Sequence, residues 1–284
     1  MALFSIDPAK CKRDGICVRE CPSRVIAWPD RDAPPVPAEG AEAFCIACGH
    51  CVAVCPHGAF SLASLPPESC PPLDRDRLPG SEAVRHLLLA RRSVRTFRKK
   101  PVPRETLADL LDVARFAPTG SNKQQVFWTV FEDRADLERF ASLVVDFISV
   151  NLADGTDEAL ARRSERIVAS WRSGEDRILR GAPHLIVVHA PADIPFGPTD
   201  CVIALTYLEL YAAARGLGTC WAGYFTSAAN FHPPLTEALG LPPGHLCCGA
   251  VMIGYPLYAY ARIPERNGPL VSWRSKPSME RSSS

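Results

Sequence analysis

Cys45-Ile-Ala-Cys48-Gly-His-Cys51-Val-Ala-Val-Cys55-Pro56 sets four cysteines at the spacing C-x2-C-x2-C-x3-C-P. In such a run the first three thiolates hold one iron–sulfur cube and the fourth ligates a second cluster. Each iron of a compact cubane takes one thiolate, so dense cysteines suit it. A tetrahedral zinc draws instead on two separated pairs. The fourth cysteine needs a partner run, and Cys11, Cys17 and Cys21-Pro22 supply it. Each stands 34 residues ahead of its counterpart (11 to 45, 17 to 51, 21 to 55). The apolar tails repeat as well, Val25-Ile26-Ala27-Trp28 matching Ala59-Phe60-Ser61-Leu62. Residues 1–65 therefore read as a duplication, each half a short strand plus a cysteine loop.

Asp14 stands where the second half has Cys48. Two readings stay open for it: an oxygen ligand, or a turn residue before Gly15. The spacing assigns Cys11, Cys17 and Cys55, with or without Asp14, to one cluster. Cys21, Cys45, Cys48 and Cys51 go to the other. Both are expected as [4Fe-4S]; a hard carboxylate corner would leave the Asp14 one prone to a [3Fe-4S] form.

The chain has 284 residues, 12 cysteines and a formal net charge of +1. That length allows two domains, and near-neutrality gives no case for nucleic acid or a strongly charged partner. No apolar run reaches membrane-spanning length, and Met-Ala-Leu-Phe-Ser does not open a signal peptide, so no membrane association is expected. Ferredoxin spacing without an export signal points to the reducing cytoplasm. Cys70, Cys201, Cys220, Cys247 and Cys248 lie outside the cluster pattern and read as packing thiols.

Residues 66–80, rich in proline and charge, read as a semi-rigid linker to a second domain over 81–274, with a tail at 275–284. In that domain a helix is expected from Ser81 to about Arg92. Another opens at Pro103, with Leu107, Leu110, Leu111 and Ala114 on one face. Strands are expected at Phe127–Phe131, Leu185–His189 and Leu246–Gly254. A mostly charged amphipathic segment over 157–172 reads as a solvated excursion, and an apolar helix over Asp200–Arg215 stops at Gly216. The fold class is α+β, a central sheet with helices packed on it.

Two segments carry chemistry. Arg91-Arg92-Ser93-Val94-Arg95-Thr96-Phe97 has the guanidinium and hydroxyl donors that suit a phosphate, although a solvated basic helix end has the same composition. Ala117-Pro118-Thr119-Gly120-Ser121-Asn122-Lys123-Gln124 is a helix exit dense in amides and hydroxyls. Together with Gly216-Leu-Gly-Thr-Cys-Trp-Ala-Gly223, Gly254-Tyr255-Pro256, Arg262 and Arg266, they resemble the nitroreductase family of FMN proteins, in the branch with an N-terminal two-cluster ferredoxin domain. The pieces run in the family's order over residues 81 to about 274.

The resemblance implies a central mixed sheet flanked by helices and a homodimer with FMN at the interface. Arg91, Arg92, Ser93 and Arg95, with Arg266 and Arg262, would hold the flavin phosphate and pyrimidine edge. Pro118, Thr119, Gly120, Asn122 and Gln124 would line the ring or ribityl chain from the other subunit, and the backbone at Ala222 and Gly223 would face N5. Gln125 departs from the family, where many members have Pro. His184, His189, His232 and His245 lie singly near expected elements and read as structural, so no catalytic acid or base is assigned.

The function implied is an iron–sulfur flavoprotein oxidoreductase reducing a small conjugated acceptor: a nitroaromatic, quinone or activated alkene. The external donor would be a ferredoxin or NAD(P)H. Two alternatives are a flavin dehydrogenase exporting electrons through the clusters and a non-enzymatic redox sensor or carrier.

Overall fold

A computed structural model describes residues 2–151 and 158–274. The expected tail at 275–284 and the start of the charged segment at Asp157 lie outside the described residues. In the N-terminal part, strand β1 (Phe4–Ile6) pairs antiparallel with β4 (Phe60–Leu62), and β2 (Ile26–Ala27) with β3 (Val36–Pro37). Short helices α1 (Ile16–Glu20), α2 (Ala41–Phe44) and α3 (His50–Ala53) complete it. Its small core gathers Phe4, Val25, Ile26, Val52, Phe60 and Leu62.

The duplication is visible in the backbone. Left-handed residues recur at the sequence offset: Arg13 (φ 58°) with Ala47 (φ 49°), Gly15 (φ 67°) with Gly49 (φ 72°), and Arg24 (φ 53°) with Gly58 (φ 57°). Gly15 and Gly49 cap the first and third helices, at a φ that glycine adopts without steric cost. The two halves thus trace the same loop.

The larger part is built on a four-stranded sheet of order β5 (Phe127–Phe131), β6 (His184–Pro191), β8 (His245–Gly254) and β7 (Gly218–Trp221). These strands pair antiparallel throughout. A parallel element enters at the edge, where Ser93 bridges Thr219. Side chains alternate across a strand, and β6 uses both faces. Leu185 and Val187 join one core, Ile186 and Val188 the other. Helices α6 (Arg134–Asn151), α7 (Glu158–Arg172), α9 (Gly223–Ala229) and α10 (Pro233–Leu239) cover the first face. Helices α5 (Arg104–Ala114) and α8 (Gly197–Ala214) cover the second, with α4 (Ser81–Ala90) against α8. The fold is α+β as expected.

Several boundaries and one burial differ from the sequence reading. Gly80, not the Ser81 side chain, occupies the cap of α4, and that helix ends at Ala90. Helix α8 starts at Gly197, three residues before Asp200, because Pro198 can occupy a first-turn position that lacks a helical partner. The charged segment is not a solvated excursion. Helix α7 packs Ile167 and Val168 into the core, with Trp171 beside them. Residues 66–80 carry two single 3-10 turns, Pro67–Ser69 and Arg75–Arg77.

Candidate redox sites

Two cavities in the N-terminal part divide the cysteines into two sets. One is lined by Cys21, Cys45, Cys48 and Cys51. The other is lined by Cys11, Asp14, Cys17 and Cys55. Among the described residues no three His, Cys, Asp or Glu side chains meet where one metal ion could join them. The sulfurs stand around the cavity walls instead. Burial pushes the Cys51 thiol up to about 11 and raises Cys17 as well. Iron supplies the positive charge that a buried thiolate lacks, so this donor set fits clusters. Asp14 Oδ1 accepts from Ile16 N at 3.1 Å, the bond of a turn residue, while its carboxylate also lines the second cavity. Both readings of Asp14 therefore keep a structural basis.

In the larger part, residues 93–94 run beside β7. Val94 N donates to Thr219 O at 2.8 Å. Gly218 allows this approach, since a Cβ there would stand 2.5 Å from Val94 Cγ2. The arginines of this segment then diverge. Arg91 Nη1 pairs at 2.8 Å with Glu209 of α8, a carboxylate that also accepts from Thr219 Oγ1 and Trp221 Nε1. Arg92 folds back onto the Leu89 and Ala90 carbonyls that end α4. Arg95 alone of the three reaches the cavity near Gly223.

That cavity, about 350 Å³, is lined by Arg95, Arg163, Arg177, Arg180, Trp221 and Gly223, among others. A contiguous cavity of about 540 Å³ shares Arg163, Arg177, Arg180 and Tyr224 and adds Arg162 and Arg166. Arg163 Nε donates to Tyr224 Oη at 2.6 Å, and Arg177 pairs with Glu175 at 3.0 Å. Arg180 is held in the left-handed region at φ 58°. The sequence reading missed Arg163, Arg177 and Arg180. A wall of guanidiniums beside Gly223 suits an anionic, planar ligand. Ala222 is buried and its N–H is used by Ala250 O at 2.9 Å, whereas Gly223 faces open space.

The 118–125 loop is built by unusual backbone. Ser121 (φ 51°), Asn122 (φ 54°) and Gln124 (φ 54°) are all left-handed, a strain that surrounding contacts must hold in place. Gly120 N donates to the buried Asp200 carboxylate at 3.0 and 3.1 Å, and Gln124 N to Thr119 Oγ1 at 3.0 Å. Asn122 Nδ2 donates out of the domain to Ile46 O and Ala47 O, inside the Cys45–Cys48 loop. Gln125 Oε1 is buried with no hydrogen-bond partner among the described residues.

Beyond β8 the chain leaves regular structure. Tyr260 Oη reaches Ser93 O at 3.5 Å, and Arg262 and Arg266 follow on exposed backbone. The histidines are not all single. His189 Nδ1 lies 2.8 Å from His245 Nδ1, and Thr129 Oγ1 lies 3.2 Å from His189 Nε2. Cys201, Cys220 and Cys247 are buried as expected of packing thiols, and Cys70 is half-buried. Cys248 differs: it is half-buried, its thiol donates to Leu246 O at 3.4 Å, and the neighbouring Cys201 thiol lowers its pKa. Among the described residues no helix is long and apolar enough to cross a membrane.

The sequence profile of the nitroreductase family matches residues 88–255, and that of a 4Fe-4S dicluster domain matches residues 3–56. The chain is 29% identical over 198 residues to a 5,6-dimethylbenzimidazole synthase of Rhodospirillum rubrum, covering 66% of this chain and 86% of that protein. It is 26% identical over 206 residues to a 4-nitrobenzoate reductase of a Nocardioides species, covering 63% and 82%. An FMN-bound nitroreductase structure from Bacteroides fragilis has the same fold, with a TM-score of 0.56 at 22% identity over 67% of this chain and 98% of that one.

Proposed function

The chain belongs to the nitroreductase family, and from that premise we propose that it is an iron–sulfur flavoprotein passing electrons between two ferredoxin-type clusters and FMN to reduce a small conjugated acceptor. The observation that carries this reading is the arginine-walled cavity beside Gly223, in one chain with two cavities of cluster-ligand cysteines. FMN supplies the hydride chemistry and exchanges one electron or two, whereas each cluster passes one. The tether keeps both at high effective concentration.

Arg95, Arg177 and Arg180 would pair with the flavin's anionic groups, and Gly223 would face N5. Ser93, with Arg262 and Arg266 delivered by the segment after β8, would close that edge, while Arg91 and Arg92 shape it. Pro118, Thr119, Gly120 and Gln124 would line the ring from the other subunit of a homodimer. The kinship with a 4-nitrobenzoate reductase supports a nitroaromatic acceptor. We place the protein in the cytoplasm, where thiolate clusters persist.

Anaerobically purified protein should contain about two cubane clusters and one FMN per chain. Reduction with NADH, NADPH or reduced ferredoxin, followed by a screen of nitrobenzoate, quinones and enones, identifies donor and acceptor. A zinc-loaded, iron-free protein, or one that binds no FMN, would refute the reading.

A further inference from the structure

Asn122 joins the two parts of the molecule through one amide. Its Nδ2 donates to Ile46 O at 3.1 Å and Ala47 O at 3.0 Å. Those carbonyls belong to the two residues between cluster ligands Cys45 and Cys48. The loop is rigidly set for this contact. Ser121 and Asn122 are left-handed, and Gly120 N and Gln124 N are pinned to Asp200 and Thr119. Ala47, across the contact, is left-handed too. The other cluster cavity presents Lys12, Arg13, Asp14 and His57, all exposed.

On the reading that the 118–125 loop lines FMN, we propose that Asn122 positions the Cys21/Cys45/Cys48/Cys51 cluster as the one that exchanges electrons with the flavin. The Cys11/Cys17/Cys55 cluster is then the outer one, meeting an external one-electron carrier. Electron transfer falls steeply with the gap to be crossed, so a hydrogen-bonded contact at the ligand loop itself is the favoured crossing. Each passage oxidises the inner cluster by one electron and gives that electron to the flavin. Two passages and two protons from water reduce the flavin fully, and the acceptor takes both electrons and both protons. The outer carrier refills the clusters one electron at a time. Asn122 is a positioning residue in this scheme, with no bond to the reacting atoms.

Two variants suit the left-handed backbone at this site: Asn122→Asp keeps the side-chain shape but removes both donors, and Asn122→Gly removes the side chain. Flash photoreduction of the clusters in whole protein gives the rate at which the flavin is then reduced. In the same samples, 4-nitrobenzoate gives the rate at which reduced flavin is reoxidised. The ratio of the first rate to the second should fall by about tenfold or more in both variants, because small misplacements slow such steps steeply. EPR of the reduced protein adds an independent readout. The inner cluster's signal should shift in both variants and the outer one's should not, Asp14→Cys identifying which signal is the outer. An unchanged ratio, or a shift confined to the outer signal, overturns the proposal. Wild-type protein that holds clusters and flavin yet transfers nothing between them overturns this proposal together with the function above. Protein without flavin overturns the function itself.

Discussion

Asp14 commits one carboxylate oxygen to Ile16 N and lines the cavity of Cys11, Cys17 and Cys55. Oxygen is a harder ligand than thiolate and holds cluster iron less tightly. The iron at that corner should be labile, so mild air oxidation of the wild type should yield a three-iron EPR signal that Asp14→Cys suppresses. A wild type without that signal, or a Cys variant that converts as readily, leaves Asp14 as a turn residue alone. Arg91 carries a different consequence. Its partner Glu209 has a side chain only 8% exposed and serves Thr219 and Trp221 as well. Removing one member of a buried pair strands the other's charge, at a cost of roughly 3–5 kcal/mol. Arg91→Ala should therefore lower the urea midpoint strongly, beyond any loss of flavin. Arg266→Ala, on an exposed backbone, should leave that midpoint unchanged. Equal midpoints for both variants would show that the Glu209 network carries little stability.

At the scale of elements, helix α7 and the turn before β6 bring Arg163, Arg177 and Arg180 to one wall, beside Arg95 from the segment along β7. Each charge-assisted bond to an anionic ligand is worth roughly 1.5–3 kcal/mol. Arg177→Ala or Arg180→Ala should then weaken FMN binding by about tenfold or more, since about 1.4 kcal/mol is one decade. Fluorescence titration of apoprotein measures it, and unaltered affinity in both variants would move the flavin elsewhere. These arginines were not legible in the sequence. Arg163, on a mostly charged helix, looks like part of a solvated face, and only the burial of Ile167 and Val168 turns it toward the cavity, while Arg177 and Arg180 lie in an irregular turn with no periodic pattern. The cluster ligands were legible because their spacing is itself the geometry. Helices α6, α9 and α10, by contrast, were not anticipated. Histidines on two strands, β6 and β8, add a pH dependence. Burial lowers His189, with His245 adding repulsion, and burial also lowers His184, whose Nε2 accepts from Val102 N at 2.8 Å. A depressed histidine pKa means that the unfolded chain binds more protons, so stability rises with pH. That contribution is complete above the ordinary value of about 6.5 and is lost as pH falls from there through the folded pKa. Urea midpoints should accordingly drop from pH 7 to 5 in wild type, and less so in His189→Gln. An equal drop in both would place the effect on other groups.

Across the whole molecule, apolar surface is left without cover at several places among the described residues, and two of them bear on assembly. Helix α4 exposes Val84, Leu88 and Leu89, and the segment after β8 exposes Tyr258, Leu270, Val271 and Trp273. Leu270 and Trp273 are 103% and 90% exposed, values suited to side chains awaiting a partner surface. The segment touches its own domain through Tyr260 and the Ser93 carbonyl. A homodimer in which this segment wraps the other chain would cover the apolar residues and would carry Arg262 and Arg266 to a shared FMN site. A stable interface of that kind buries on the order of 1,200–2,000 Å². Ending the chain after Pro256 should therefore convert a dimer to a monomer and strip FMN in one step. The clusters should survive, because both cysteine cavities are walled by the N-terminal part alone. Light scattering on the eluted species, with flavin and iron assays on the same fractions, reads all three quantities. A truncated chain that stays dimeric and keeps its flavin would show that the segment is peripheral. A truncated chain that loses iron as well would show that cluster assembly depends on the dimer.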